Sequence, residues 1–281
     1  MLRIGIVGAE NSHTAAIAKT INVDELIPDA EVVCVWGETP EFARAAAEKG
    51  RIPSIVDSPK DLIGEVDAAV VDHRHPKDHL PAAEALLEAG IPLFIDKPFC
   101  YRSAEGNKFL DRAEALGVPV TSFSVLPKQA AFADLMREAG ELGQISSVVT
   151  TGPCDIDSPY GSVFFYGIHQ VDMLLRLTGY DVVDAGVYKG TQGNHVATIR
   201  FDSGVVAAMN LIKEGSPAFH ISVIGEKGRL DRNIVYDDNT YLTGIQDFVD
   251  VFRTGSCPET RESILGPVAV LEALESSLVQ D

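Results

Sequence analysis

Short apolar segments alternate with amphipathic ones along the first 123 residues, and this alternation is the feature that most limits the fold. The amphipathic segments predict helices over Ser12–Ile21, Pro40–Lys49, Leu80–Ala89 and Ala104–Ala115. The apolar segments predict strands over Arg3–Val7, Glu31–Trp36, Ser54–Val56, Asp67–Val71, Leu93–Ile95 and Val118–Phe123. Apolar strands separated by helices indicate a parallel sheet with helices on both faces. We therefore predict a Rossmann-like, doubly wound α/β domain over residues 1–123.

The pattern changes after residue 123, where several strands follow one another with few helices between them. The predicted strands are Ile145–Thr151, Asp181–Tyr188, His195–Phe201, Val205–Ile212 and Phe219–Ile224. The predicted helices are Ala130–Ala139, Ile168–Leu177, Ile245–Phe252 and Glu262–Leu278. Strands clustered in this way indicate a largely antiparallel sheet. We predict that residues 124–281 form an α+β domain for substrate binding and oligomerisation.

Charge and composition exclude several classes of partner. The sequence holds 23 Lys and Arg residues against 41 Asp and Glu residues, a net charge of -18. This charge repels phosphate backbones and anionic lipid, so we expect neither a nucleic acid nor a membrane as a partner. The chain begins directly with a strand and has no long apolar run, and its four cysteines form no C-x-x-C pair. These features predict a cytoplasmic protein.

The first turn of the predicted sheet lies where a dinucleotide fingerprint, G-x-G-x-x-G, is found. Gly8 matches the first glycine, whereas Glu10 and His13 replace the second and third. Asn11 and Ser12 could cap the following helix and donate hydrogen bonds to a cofactor. Glu38, after the second strand, could accept from a ribose 2′-hydroxyl and would disfavour a 2′-phosphate, which slightly favours NAD over NADP. The alternatives are a strand-to-helix turn without a cofactor and a solvated loop carboxylate.

A polar loop, residues 72–79, follows the buried strand that ends at Val71. Its three histidines and two aspartates invite a metal site, but their spacing matches no standard zinc set. Arg74 and Lys77 would also oppose a cation, so we predict no metal. We expect the loop to line the cofactor pocket instead, with His73 and His79 as candidate cofactor-binding residues.

Two further segments carry side chains suited to proton transfer. Lys97 and Pro98 follow the strand that ends at Ile95, at the edge of the sheet where α/β proteins bind ligands. His169 is predicted at the start of an apolar helix, with Asp172 three residues later on the same face. A lysine and a histidine so placed predict proton handling beside a cofactor. The alternatives are a surface ion pair for Lys97 and purely local bonds for His169 and Asp172.

These motifs together resemble the glucose–fructose oxidoreductase / inositol dehydrogenase / MocA family. Asp96-Lys97-Pro98 resembles its Glu-Lys-Pro motif, and Gly167-x-His169-x-x-Asp172 resembles its catalytic helix. Residues 138–145 and 224–230 resemble segments of its second domain. The resemblance implies an NAD- or NADP-dependent dehydrogenase of a sugar, cyclitol or related polyol, assembled as a homodimer or higher homo-oligomer. It also implies that Lys97 hydrogen-bonds the reacting hydroxyl and the nicotinamide ribose, while His169 takes the hydroxyl proton.

The sequence departs from this family at Phe165, where an aspartate is usual four residues before the histidine. Asp155, Asp157, Tyr160 or Tyr166 could replace that carboxylate, or Asp172 could hold His169 from the next turn. We therefore take Asp155 and Tyr160, with Lys97 and His169, as candidate substrate-binding residues. Two other functions remain open: a hydrolase or lyase that oxidises its substrate transiently with a retained NAD, and a non-catalytic ligand-binding or regulatory relative.

Overall fold

The computed structural model describes residues 1–215 and 217–279, which form two compact units. The first unit contains Met1–Cys100, Ala104–Ser122 and Tyr241–Thr260. The second contains Tyr101–Ser103, Phe123–Thr240 and the described residues from Arg261 onward. No helix in the described ranges is long and apolar enough to span a membrane.

Twelve strands form two six-stranded sheets. The strands are β1 Leu2–Val7, β2 Ala30–Trp36, β3 Ser54–Ile55, β4 Ala68–Val71, β5 Leu93–Ile95, β6 Val120–Thr121, β7 Ile145–Pro153, β8 Val182–Lys189, β9 His195–Phe201, β10 Val206–Ile212, β11 Phe219–Gly225 and β12 Gly228–Ile234. The α-helices are α1 Ser12–Ala18, α2 Pro40–Gly50, α3 His79–Glu88, α4 Ser103–Leu116, α5 Ala130–Ala139, α6 Phe164–Thr178, α7 Leu242–Thr254 and α8 Arg261–Val279. Shorter helical turns cover Lys19–Val23, Pro59–Leu62, Pro76–Asp78, Leu126–Lys128 and Gly140–Leu142.

The sheet of the first unit is parallel throughout, with the order β3-β2-β1-β4-β5-β6. Its central strands are continuous apolar runs because helices cover both faces. All four residues of β4 are buried, as are Ile4, Ile6 and Val7 of β1. The predicted Rossmann-like sheet is therefore confirmed. Its parallel strands bring the C-terminal ends of β1, β4 and β5 to one edge.

Helix α7 belongs to the first unit, although it comes after the whole second sheet in the chain. The ring of Phe248 stacks on Phe94 of β5 with their centroids 4.7 Å apart. Ile245, Phe248 and Val249 are almost fully buried. Because the apolar side of α7 faces the first sheet, the first unit includes Tyr241–Thr260. The unit is therefore not continuous in sequence, unlike the predicted domain over residues 1–123.

The sheet of the second unit is mixed but mainly antiparallel, with the order β12-β11-β7-β10-β9-β8. Only β7 and β10 pair in parallel among its neighbouring strands. Strand β12 extends this sheet beyond the predicted ones. Four of its seven residues are Arg229, Asp231, Arg232 and Asn233. Such polar composition suits an edge strand and hides the strand from an apolar pattern.

Helix α6 begins at Phe164 and not at Ile168, so the predicted start of this helix was wrong by four residues. Val163 and Phe164 are fully buried and Gly167 lies within the helix. Phe164 therefore joins the core of the unit, whereas Tyr166 is 40% exposed. His169 consequently lies in the second turn of α6 and not at its first.

Candidate active site

A tight turn at Gly8 shapes the cofactor edge of the first sheet. Gly8 has φ +106°, and a Cβ atom placed there would lie 2.7 Å from the backbone C and O atoms of Asp72. Both the backbone conformation and the space therefore require glycine. The loop after β1 can thus run against the end of β4, as expected of the first fingerprint position.

Glu38 folds onto the backbone of this turn. Its Oε2 atom accepts hydrogen bonds from the N–H groups of Ala9 at 2.8 Å and Glu10 at 2.9 Å. Its Oε1 atom is buried and has no partner among the described residues. One carboxylate oxygen therefore fixes the loop, while the other keeps unused capacity to accept a hydrogen bond.

The side chains of Asn11 and Ser12 do not cap α1 as predicted. Asn11 occupies the N-cap position, but its side chain makes no capping bond. Its Nδ2 atom donates instead to Asp72 Oδ1 at 2.9 Å. Ser12 is exposed in the first position of α1. The Glu10 Oε1 atom lies 3.9 Å from a guanidinium nitrogen of Arg74. The side-chain amide of Asn11 therefore binds a buried carboxylate instead of capping α1.

His13 lies between two buried carboxylates. Its Nδ1 atom is 3.1 Å from Asp96 Oδ2 and 3.6 Å from Asp72 Oδ1. Its ring packs against Tyr241 with centroids 5.3 Å apart. Burial alone would lower the pKa of His13, but the charge of Asp96 and the hydrogen bonds to both aspartates outweigh it and raise the pKa to about 9. His13 is therefore a cation at neutral pH.

The two aspartates have different protonation tendencies. Burial, and then the charge of Asp96, raises the pKa of Asp72. Burial would also raise the pKa of Asp96, but Lys97 and His13 lower it overall. Thr14 Oγ1 lies 2.8 Å from the Gly8 carbonyl and 2.6 Å from Asp72 Oδ2. The Thr14 hydroxyl can donate to either acceptor, and its bond to Asp72 lowers the pKa of that carboxyl against the larger effect of burial. The opposite net shifts of the two pKa values favour the negative charge on Asp96.

Lys97 is held beside this carboxylate. Its Nζ atom is 3.6 Å from Asp96 Oδ2, and its side chain is only 10% exposed. The Lys97–Pro98 peptide bond is cis. His13, Asp72 and Asp96 also offer three ligand atoms within 4.8 Å of one another. Because two cationic side chains contact Asp96, we interpret this cluster as a charge network and not as a metal site.

The two candidate histidines after β4 have different positions. His79 is fully buried, and its ring nitrogens lie 2.9 Å from the Pro98 carbonyl and 2.8 Å from the His73 carbonyl. It therefore joins the two loops and offers neither nitrogen to a cofactor, contrary to our expectation for it. His73 stacks near Trp36 at 5.7 Å, and its buried Nδ1 atom has no partner among the described residues. Burial and the neighbouring His79 lower the pKa of His73 to about 4.

In the second unit, Ser124 is the partner of His169. Ser124 Oγ lies 2.8 Å from His169 Nδ1, and the Ser124 N–H donates to Asp172 Oδ2 at 3.0 Å. The other oxygen of Asp172 accepts from Arg176 Nε at 2.8 Å. All three site residues are buried. Asp172 thus positions the backbone of Ser124, whose hydroxyl orients the imidazole.

Aromatic rings surround the position where the family resemblance implies an aspartate. Phe165 packs against Tyr160 with centroids 5.0 Å apart and against Tyr166 at 4.9 Å. Tyr166 in turn meets the His169 ring edge-on at 5.6 Å. Asp155 pairs with Lys213 at 3.0 Å. The side chain observed within hydrogen-bonding distance of His169 Nδ1 is that of Ser124.

Comparison with known proteins agrees with this geometry. Residues 2–124 match the family described as an oxidoreductase family with an NAD-binding Rossmann fold, Gfo/Idh/MocA. These residues are similar to the NAD-binding part of that oxidoreductase family. A myo-inositol dehydrogenase from Streptomyces leeuwenhoekii is 27% identical over 250 residues, which cover 81% of this chain and 74% of that protein.

Several solved structures have folds similar to that of nearly the whole chain. A probable dehydrogenase from Thermotoga maritima matches with a TM-score of 0.84 and 20% identity, over 99% of this chain and 97% of that one. A scyllo-inositol dehydrogenase from Lactobacillus casei, solved with NAD(H) and scyllo-inositol, matches with a TM-score of 0.83 and 16% identity, over 99% and 96%. At these identities the likeness establishes the fold.

Two residues, Asp72 in the first unit and Ser124 in the second, were not among the candidates predicted from the sequence. Asp72 directly follows β4, so its position after a buried strand was a usable signal. Ser124 lies just beyond β6, in the segment that begins the second unit. No spacing rule connects it to His169, because 45 residues separate them.

Proposed function

We propose that this oxidoreductase transfers a hydride between NAD and a cyclitol or related polyol. The observation that carries the proposal is the pair of unpartnered buried atoms, Glu38 Oε1 and His73 Nδ1, at the edge that also holds Lys97. Buried polar atoms of native proteins normally have partners, and a dinucleotide offers hydroxyl and amide groups to both. The named activities of the inositol dehydrogenase relatives support the polyol substrate.

The side chains of this protein suit a dehydrogenase in separate roles. The nicotinamide supplies the hydride acceptor when it is bound. Lys97 carries an ammonium group that donates to the reacting hydroxyl and stabilises its developing negative charge. When His169 donates its Nδ1–H to Ser124, its Nε2 atom keeps a lone pair and takes the hydroxyl proton. The ring of Tyr166 contacts this imidazole edge-on, and Phe165 packs against Tyr166.

Binding of the reduced cofactor tests the first half of the proposal. Trp36 is the single tryptophan of the chain and the last residue of β2, two residues before Glu38. We expect NADH to quench its fluorescence with saturation, and we expect a panel of inositols and sugars to yield NADH in the oxidative direction. No quenching and no thermal shift with NADH or NADPH would disprove the assignment.

We predict that Glu38 makes the protein prefer NADH over NADPH by about tenfold or more, because its carboxylate repels a 2′-phosphate. Glu38→Ala should bring the two dissociation constants close together, measured by Trp36 quenching. Glu41→Ala is the matched control, since this carboxylate is nearby in α2 but 73% exposed. A Glu38→Ala variant that keeps the full preference would show that discrimination lies elsewhere.

We also propose a homodimer or a higher homo-oligomer formed through the open face of the second sheet. Val206 of β10 and Ile224 of β11 both pair with Ser147 of β7, so they lie side by side across three strands. They are 52% and 42% exposed. Apolar side chains grouped on a sheet face are typical of interfaces.

Light scattering should therefore give a mass of at least two chains at micromolar concentration. The double variant Val206→Lys/Ile224→Lys should be a monomer, because two buried charges oppose association. Leu26→Lys, at a similarly exposed position of the first unit (43%), should leave the mass unchanged. A wild-type monomer would contradict the proposed assembly.

A further inference from the structure

The C-terminal edge of the first sheet contains several carboxylates, although the proposed ligand is an anion. Asp72 is fully buried, Asp96 is 6% exposed, and Glu38 lies against the loop that follows β1. Like charges repel strongly where water is excluded. A dinucleotide with its negatively charged diphosphate can bind here only if cationic groups balance these side chains.

His13 supplies such a charge from a fixed position. Its Nδ1 atom is 3.1 Å from Asp96, its side chain is 15% exposed, and Tyr241 packs against its ring. Lys97 contacts the same carboxylate oxygen, Asp96 Oδ2, at 3.6 Å. The ionised Asp96 therefore lies between two cations, and the pair Lys97–Asp96 is close to neutral without His13. Protonation of His13 therefore adds one positive charge to this edge.

His13 lies at a position of the sequence where dinucleotide-binding turns usually have a glycine. His13 stands where the fingerprint has its third glycine, a residue that allows close packing of helix and strand. Gly8 retains the tight turn, but Glu10 and His13 replace the other two glycines. The backbone of this loop is already bonded to Glu38. The chain thus lacks two of the three fingerprint glycines and has a cationic ring at the same turn.

We propose that His13 strengthens binding of the dinucleotide at a turn that lacks two of the fingerprint glycines. Its imidazolium offsets the negative charge of the carboxylates around the bound dinucleotide. This inference rests on the proposed function, because a dinucleotide is its ligand. Asp96 orients the ring, and Lys97 shares that carboxylate. The role is electrostatic, so a neutral side chain of similar size cannot perform it.

The test compares NADH binding to four proteins by Trp36 quenching. His13→Gln keeps a hydrogen-bonding side chain but removes the charge, and we expect its dissociation constant to rise roughly 10- to 100-fold. His13→Gln/Asp96→Asn removes one charge of each sign and should return to within about threefold of wild type, because the two changes are coupled. A packing role would give no such rescue. His220→Gln is the matched control, since His220 also faces an aspartate, 4.0 Å away, in the second unit.

The pH dependence of binding gives a second readout. The charged and titratable groups that face His13 are Asp96, Asp72 and Tyr241, while Lys97 and His79 act on Asp96. The pKa of His13 is about 9, so wild-type binding should be full near neutral pH and should weaken as pH rises through about 9. His13→Gln should lose this step. Subtracting the two profiles isolates His13 from other groups that titrate in this range.

His13→Gly distinguishes the proposal from its opposite, because it restores the fingerprint glycine. Weaker NADH binding by His13→Gly supports the proposal, whereas unchanged or tighter binding overturns it while the proposed function stands. A wild-type protein that binds neither NADH nor NADPH overturns both. If the thermal midpoint shows that His13→Gly does not fold, the proposal is tested by His13→Gln and by the recovery of NADH binding in His13→Gln/Asp96→Asn. A wild-type thermal shift with Mg²⁺ or Zn²⁺ that His13→Gln abolishes would also overturn the proposal in favour of a metal site.

Discussion

Lys97→Ala is expected to lower the turnover of polyol substrates by roughly 10²- to 10⁴-fold, the range for losing a group that assists proton transfer. The ammonium group of Lys97 follows β5, and the side chain is 90% removed from solvent beside Asp96. Because His13 also contacts Asp96, this carboxylate keeps a cationic partner when Lys97 is removed. The variant should therefore fold, with a thermal midpoint close to that of wild type.

Two further variants define what Lys97 contributes. Lys97→Arg keeps the charge but exchanges a compact ammonium for a planar guanidinium, so most of the loss should persist. Lys77→Ala is the matched control, since Lys77 lies in the loop after β4 and is exposed. Turnover should fall far more than NADH affinity, measured by Trp36 quenching. Lys97→Ala with wild-type turnover would remove Lys97 from the catalytic machinery.

Much of the first sheet could be predicted because its strands are buried on both faces. An unbroken apolar run such as β4 has few other structures available to it. Helix α7 could be predicted as a helix, but not as part of the first unit. Its neighbour Phe94 lies 154 residues earlier, as the ring pair Phe94–Phe248 shows, and local periodicity contains no information on such a contact.

The second sheet was less predictable at its edge. Strand β12 carries Arg229, Asp231 and Arg232, whose charges keep an edge strand from pairing with other chains. The same charges remove the alternation by which a strand is recognised. The start of α6 was missed for a related reason, because Phe164 and Phe165 favour strands in isolation but are packed within the helix here.

Side-chain networks were the least predictable part of the site. The positions of Lys97 and His169 follow from motif and element, and the sequence does identify them. The partners of these residues depend on contacts across long separations, such as His13 with Asp96 and Ser124 with His169. His79 illustrates the same limit, because its two backbone carbonyl partners, from Pro98 and His73, are visible only in three dimensions.

His169→Ala is expected to reduce turnover by roughly 10²- to 10⁴-fold, the cost of removing a general base. The buried imidazole has Nδ1 bonded to Ser124, and Nε2 is the proposed acceptor of the hydroxyl proton. Added imidazole should restore part of the activity, since a small base can enter the space that the variant leaves. NADH binding should change little, because the unit that matches the NAD-binding family does not include His169.

Ser124→Ala tests the role of Ser124 in orienting the His169 imidazole, because the imidazole itself is kept in this variant. This variant keeps the base but removes the hydroxyl that faces Nδ1, so turnover should fall by roughly tenfold, less than for His169→Ala. The acidic limb of its pH–rate profile should also move, which a purely structural loss would not cause. Ser146→Ala is the control, because that hydroxyl is exposed on β7 and donates to the Ile224 carbonyl away from the site. If His169→Ala retains wild-type turnover, or imidazole rescues Ser124→Ala as well as His169→Ala, then His169 is not the base and the proton leaves by another residue.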